Sequence, residues 1–189
     1  MGLEGQFIRL REERESDLEF LLNLRNTLET QGWSKTLPTD YTLPMYAQRY
    51  REREFSFDRM DGRFTIEHKG TLEPVGTVGY SFLEPRFSAM IGIAIAKKFW
   101  SEGFAFEAQN LLVDFIFVEL GVRVIRLWTH SGNPKAVALA ERAGFKVSVR
   151  QREAIFKHGQ LFDNLVMDML REEYYARHPD LEDKLPAPF

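Results

Sequence analysis

The chain has no cysteine. That excludes disulfides, thiolate metal sites and any acyl-enzyme formed on sulfur. Long apolar runs are missing too. Stretches such as Leu111-Leu112-Val113 are broken by charge within a few residues, far short of the roughly 18 residues that cross a bilayer, so no membrane partner is expected. The N-terminus, MGLEGQFIRL, lacks a basic segment followed by an apolar one; no secretory leader is expected, and cytoplasm is the default compartment. A basic stripe is also absent. Net charge is −3, and stretches such as RLREERESD and RYREREF interleave both signs, as on solvated helix faces, so no nucleic-acid partner is expected. Neither GxxxxGK[ST] nor GxGxxG occurs. Ser81, Ser88 and Ser131 sit in no GxSxG context, which leaves serine-hydrolase chemistry without support. His68, His158 and His178 show no ligand spacing to one another, and no metal site is expected.

What is present fits one domain: 189 residues, 44% of them hydrophobic, with 16 phenylalanines that point to a core rich in rings. Residues 1–175 read as the domain. The end of the polar, proline-bearing stretch REEYYARHPDLEDKLPAPF, residues 176–189, reads as a half-ordered tail. Gln6 to Leu10 reads as a strand. Ser16-Asp17-Leu18-Glu19 has the spacing of a capping box before an apolar helix. Met45 to Phe55 reads as a charged surface helix. Arg63 to His68 and Val75 to Phe82 form a hairpin around Lys69-Gly70. Met90 to Ala96, nearly all apolar, is expected to be buried on both faces. Ala105 to Leu120 is the strongest helix, with Ala108, Leu111, Leu112, Phe115 and Ile116 on one stripe and Gly121 at its end. A strand over Val122 to Thr129, a short helix from Asn133-Pro134 to Ala143-Gly144, and a closing hairpin around His158-Gly159 complete the chain. The order mixes an antiparallel meander with a strand–helix–strand crossover.

The stretch FWSEGFA, residues 99–105, stands between a strand and that strongest helix. The first N–H groups of a helix have no internal partner, and the helix dipole adds positive charge there. Gly103 lacks a side chain, so an anion could approach the backbone closely. A glycine serving only to turn the chain fits the same residues.

The longer run IGIAIAKKFWSEGFAFEAQNLLVDFIFVELGVRVIRLWTHSGNPKAVALAERAGF resembles the coenzyme A half of the GNAT superfamily of N-acetyltransferases, in its RimJ/RimL-type branch. Ile91-Gly92, Phe99-Trp100, Gly103-Phe104-Ala105, Glu107-Ala108, Leu120-Gly121, Asn133 and Gly144-Phe145 carry the likeness, and REAIFKHGQLFDNLVMDMLREEY is similar to the branch's closing hairpin. The resemblance implies a mixed, mostly antiparallel α/β sheet of about seven strands flanked by helices, with a splay between two central parallel strands. It implies acetyl-CoA as co-substrate, its pyrophosphate held by backbone N–H groups of Trp100, Ser101, Glu102, Gly103, Phe104 and Ala105. It implies that Ile93, Ala94 and Ile95 pair with the pantetheine arm, that the Ile93 N–H polarises the thioester carbonyl, and that Asn133 contacts the arm. A homodimer through the closing hairpin is implied by the same analogy. The chain departs from the family at Glu102, beside which Lys97 and Lys98 stand. It departs again at Ala140, where many members carry the tyrosine that reprotonates the thiolate, and at Ala136, where the branch often has serine.

Acetyl transfer needs a neutral amine, a donor for the developing oxyanion, and a leaving thiolate. One oxyanion donor is worth about 3 kcal/mol. A thiol with a reference pKa near about 8.5 leaves tolerably without an acid, and general acid–base help adds roughly 10²–10⁴-fold. Glu84 is the candidate base, acting through water, with pairing to Arg86 as the plainer reading; His130 is the second candidate. Trp33, Tyr41 and Tyr46 are candidates for an acceptor pocket or for ordinary packing. The expected function is transfer of an acetyl group to a primary amine, such as a protein N-terminus, a polyamine or another small amine. The alternative, favoured by Ala136 and Ala140, is a CoA-binding sensor that has lost catalysis.

Overall fold

Ile8 and Leu10 alternate with Arg9 and Arg11, and the strand they form buries both aliphatic side chains completely. The computed structural model describes residues 3–28, 41–54, 60–84 and 87–182. Strands β1 (Leu3–Glu4) and β2 (Ile8–Glu12) lead to helices α1 (Leu18–Asn26) and α2 (Leu43–Glu54). Strands β3 (Asp61–His68), β4 (Pro74–Glu84) and β5 (Ser88–Ile95) follow, then α3 (Phe104–Asp114), β6 (Val124–His130) and α4 (Pro134–Ala143). The hairpin β7 (Lys146–Lys157) and β8 (Gln160–Leu170) precedes α5 (Arg171–Arg177) and α6 (Pro179–Glu182).

One 8-stranded sheet runs β1-β2-β3-β4-β5-β6-β8-β7. Every neighbouring pair is antiparallel except β5 and β6. This is the mixed α/β architecture expected, with one strand more than about seven. The extra strand is the two-residue β1, paired through Leu3 with Leu10 and through Glu4 with Arg9. The α3 crossover between parallel β5 and β6 is the strand–helix–strand unit read from the sequence.

Register puts Ile8, Leu10, Ile66, Val78, Ile91, Ile125 and Met167 on one face, against Ala108, Leu112 and Ile116 of α3. Rings fill this layer: Phe115 meets Phe64 and Tyr80 with centroids 5.9 and 6.2 Å apart. On the opposite face the Asp17 carboxylate holds Arg11 and the Thr65 hydroxyl, fixing the start of α1 to the sheet.

Three expectations need correction. The spacing Ser16–Glu19 does not form a capping box. The chain makes a 3-10 turn over Glu15–Asp17, and it is Asp17 that reaches back to the Arg14 N–H, 2.9 Å away. The helix from Ala105 does not stay α to Leu120; from Phe115 to Glu119 it widens into a π turn, with the Leu120 N–H donating to the Phe115 C=O. The widened turn leaves the Phe117 C=O to accept from the Tyr175 hydroxyl. The helix that carries it, α5, is closely packed: Tyr174 and Tyr175 are buried, and Tyr174 stacks on Phe117 at 4.8 Å and donates to Asp114. Finally, β5 is not buried on both faces, since Gly92 is exposed and Ile93 and Ala94 are half-buried.

Candidate active site

The reason for that exposure is the site itself. Strands β5 and β6 pair from Ser88↔Val124 to Ile91↔Leu127 and no further, although β5 continues to Ile95 and β6 to His130. The two strands splay beyond Ile91. On its other flank β5 stays paired with β4 through Gly76↔Ile95. The Ala96 N–H donates to Val75 on the β4 side, while the Ile95 C=O accepts the Trp100 indole N–H, 2.8 Å away. Successive residues of a strand aim their amides to alternate flanks, so Ile93 and Ile95 direct theirs into the gap and Ala94 directs its own towards β4.

At the mouth of the gap the chain turns. Ser101 (φ 72) and Gly103 (φ 85) both take left-handed backbone conformations, and Gly103 is the N-cap of α3. The Phe106 and Glu107 N–H groups fold back onto the Gly103 C=O. Among the described residues the N–H groups from Ser101 to Ala105 have no protein acceptor. Successive amides with alternating handedness form a concave nest, and here it coincides with the positive end of a helix dipole. A Cβ built on Gly103 meets nothing within 4 Å, so the space before these amides is open. The residues fit a diphosphate: donors without acceptors, free approach, and a helix end behind them.

The neighbouring charges differ from those expected. Lys98 is engaged by Glu73 at 3.5 Å and lies over the Phe99 ring. Lys135, in the first turn of α4, brings its ammonium 5.9 Å from the centre of the Trp100 ring. Lys135 was missed in the sequence because it belongs to a different helix; only the fold brings α4 beside the turn. Glu102 is exposed.

Asn133 caps α4, its Oδ1 accepting the Ala136 N–H at 3.2 Å, and its Nδ2 remains as a donor. Gly144 closes the same helix with φ 108. Ala140 is completely buried and Ala136 half-buried. His130 is buried at the end of β6, its ring 5.6 Å from Phe162. Tyr41 and Tyr46 meet edge to face at 6.2 Å beside the end of α1, where Asn26 donates to the Tyr41 C=O. Burial pushes the Tyr46 hydroxyl pKa up. Trp33 and Arg86 lie outside the described residues.

The structure does not bring Glu84 to the others. Glu84 pairs with Ser88, whereas Ile93 pairs with Val78. The separation along β5 is about 16 Å at ~3.3 Å per residue. One residue the sequence reading missed does lie at the gap, and a second is buried in the helix that follows the turn. Trp128, the first residue of β6 past the last pair with β5, is 52% exposed on the face opposite α3. Gln109, 2% exposed, lies in α3 among Ala108, Leu112 and Val113, and its Nε2 has no partner among the described residues. A glutamine on an otherwise apolar stripe was the signal available for it.

The sequence pattern of the acetyltransferase (GNAT) domain family matches residues 8–146. The uncharacterized N-acetyltransferase p20 of Bacillus licheniformis is 28% identical over 122 residues, 64% of this chain and 68% of that protein. The putative ribosomal N-acetyltransferase YdaF of Bacillus subtilis is 30% identical over 86 residues, 46% of this chain and 47% of that protein. Among solved structures, spermidine N-acetyltransferase from Vibrio cholerae in complex with CoA and spermine superposes with a TM-score of 0.81 at 27% identity, covering 90% of this chain and 99% of that one. With the family pattern spanning most of the chain, on a sheet that splays beside an amide-lined turn, the chain belongs to the GNAT acetyltransferase family and is an acetyl-CoA-dependent N-acetyltransferase.

Proposed function

We propose that the chain acetylates a small primary amine of the polyamine class, by direct attack on acetyl-CoA within a ternary complex. The observation that carries this reading is the continuity of two backbone surfaces: the amide nest from Ser101 to Ala105 and the flank of β5 from Gly92 to Ile95, which β6 leaves uncovered. In this reading the nest holds the pyrophosphate, and the flank pairs with the pantetheine arm. The Asn133 Nδ2 donates to the arm from the α4 side, and Lys135 adds charge beside Trp100. The Ile93 N–H stabilises the oxyanion as the amine attacks. The ordered motif from Ile91 to Phe145 also supports placement in the RimJ/RimL-type branch.

The acceptor enters from the face opposite α3, because that face carries Trp128 at the lip of the gap. An exposed indole suits an alkylammonium through cation–π attraction worth about 0.5–1 kcal/mol, more when desolvated. Likeness to a spermidine N-acetyltransferase supports the polyamine class over a protein N-terminus. Following free thiol release across a panel of amines, with and without peptides bearing free N-termini, tests the choice. Release driven by spermidine and spermine supports it, and release driven only by peptides overturns it. Trp128→Ala should raise the KM for spermidine roughly 2- to 5-fold, as expected for losing such a contact, and leave the KM for acetyl-CoA unchanged.

In this reading no protein base takes the proton of the acceptor directly, since Glu84 lies at the far end of β5 from Ile93. At its distance Glu84 reaches the amine only through intervening water. Deprotonation by solvent makes kcat/KM rise about tenfold per pH unit towards the amine's own pKa, near about 10. A protein base would instead give a profile that levels off well below the amine's own pKa. A pH–rate profile with spermidine is expected to show the sustained rise.

A further inference from the structure

Gln109 is a buried polar group that the binding scheme leaves unused. It is 2% exposed, and its Nε2 finds no partner among the described residues. A buried amide without a partner is costly, so its retention asks for a reason. Its place on the helix supplies one. The Arg142 guanidinium of α4 lies 3.9 Å from the centre of the Phe106 ring, which identifies the side of α3 turned towards α4. Gln109 stands three residues further on, on that same side.

Its depth is equally defined. The crossover from β5 to parallel β6 makes α3 run back along β5. Five residues from Phe104 to Gln109 cover about 7.5 Å. Two residues back from Ile95, about 6.6 Å, lies Ile93. Measured back from the turn, Gln109 and Ile93 thus lie at similar depths, with Gln109 on the side of α3 turned towards α4. Ala140 of α4 borders the same interior with no exposed surface and no polar atom in its side chain.

We propose that Gln109 donates a hydrogen bond from its carboxamide to the sulfur of the leaving thiolate, supplying from α3 the polar contact that position 140 cannot give. This rests on the acetyl-transfer reading. In the step, the amine nitrogen forms its bond to the acyl carbon and the C–S bond breaks, with its electron pair remaining on sulfur. The proton lost by the amine goes to solvent, and Gln109 keeps its own. The residue acts by stabilising charge, not by proton transfer.

The test uses the full chain with CoA, following the thiolate by its ultraviolet absorbance as pH is raised. In Gln109→Met, which keeps the volume and removes the donor, the bound thiol should titrate about one pH unit or more higher than in the wild type. With acetyl-CoA and spermidine, kcat should fall roughly 10- to 100-fold, the range of one hydrogen bond to a charged group, while the KM for acetyl-CoA stays within about threefold. Gln109→Asn, which draws the amide back by one methylene, should shift the titration the same way and serves if the methionine variant does not fold. Gln109→Ala combined with Ala140→Tyr should recover much of the lost rate. A variant that loses thermal stability but keeps the wild-type kcat and thiol titration overturns the proposal and leaves Gln109 as packing. Absence of CoA binding by the wild type is a distinct result that sinks the acetyl-transfer reading and the proposal together. Binding without turnover leaves the titration to decide the role of Gln109 alone.

Discussion

Gly103→Val is expected to weaken CoA binding by about 100-fold or more, measured by calorimetry, with a loss of fold stability on the order of 1–3 kcal/mol. Two effects converge on this residue. Its φ of 85 places it where a residue with a Cβ is strained, and a β-branched one most of all. Its missing side chain also leaves the space before the amides from Ser101 to Ala105 open. A new Cβ meets no protein atom within 4 Å, so the fold itself is not crowded by it. The crowding falls on whatever anion faces the amides. Gly103→Asn separates the two effects, because asparagine accepts the left-handed conformation better than other residues with a Cβ. If the asparagine variant binds CoA as tightly as the wild type, the loss in the valine variant comes from backbone strain alone. If both lose affinity while melting close to the wild type, the open space is what the ligand needs. Unchanged affinity in the valine variant would remove the pyrophosphate from this turn altogether.

The sequence made this turn legible because its logic is local. A strand, a glycine and an amphipathic helix in succession announce unpaired N–H groups whatever surrounds them. The same holds for α4, where Asn133-Pro134 at one end and Gly144 at the other mark both caps within a dozen residues. The exposure of β5 could not be read in this way. Met90 to Ala96 looks like a strand buried on both sides, since an apolar run records the nature of its side chains and not where its neighbour parts from it. The parting is fixed by how far β6 follows β5, a relation between residues some thirty-six positions apart. Glu84 was singled out for lying just before the central strand in the chain. Antiparallel pairing sends that closeness to the wrong end, because residues adjacent across the β4–β5 turn lie farthest from Ile93. Lys135 and Trp128 show the converse. Each reaches the site from an element whose own pattern gives no hint of it, and only the packing of α4 and β6 around the gap assembles them. The π turn after Asp114 also depends on a distant partner, Tyr175, which lies in a stretch too polar to suggest a buried helix.

Asp17→Ala is expected to destabilise the fold by about 3–5 kcal/mol, the cost of removing one partner from a buried ion pair, read from urea unfolding at neutral pH. Arg11 donates to both oxygens of Asp17, at 2.6 and 2.9 Å, and also to Glu67. Arg9 donates to Glu67 in turn, and the Thr65 hydroxyl and Arg14 N–H complete the shell of Asp17. Asp17, Glu67 and Arg11 are all nearly inaccessible, so truncating Asp17 leaves the guanidinium with one anion and no water to replace the other. Burial alone pushes the Asp17 carboxyl pKa up; hydrogen bonds from Arg11, Arg14 and Thr65 outweigh it and hold the carboxyl below its usual range. Glu67 follows the same pattern, with burial opposed by Arg11 and Arg9 and a net lowering. Folded-state values below the unfolded ones mean that these carboxylates contribute stability fully above about pH 5. That contribution is lost as pH falls below about 4 through the lowered values. Wild-type stability should therefore drop steeply on acidification, and Asp17→Ala should show a shallower drop over the same window because its share is already gone. Parallel acid curves for the two proteins would mean that Asp17 is ionised no more readily in the fold than in the open chain. The network ties β2 and β3 to the start of α1 and does not touch the amide turn, so the folded Asp17→Ala protein should bind CoA as the wild type does. That result would separate the charges that hold the scaffold from the amides that hold the ligand.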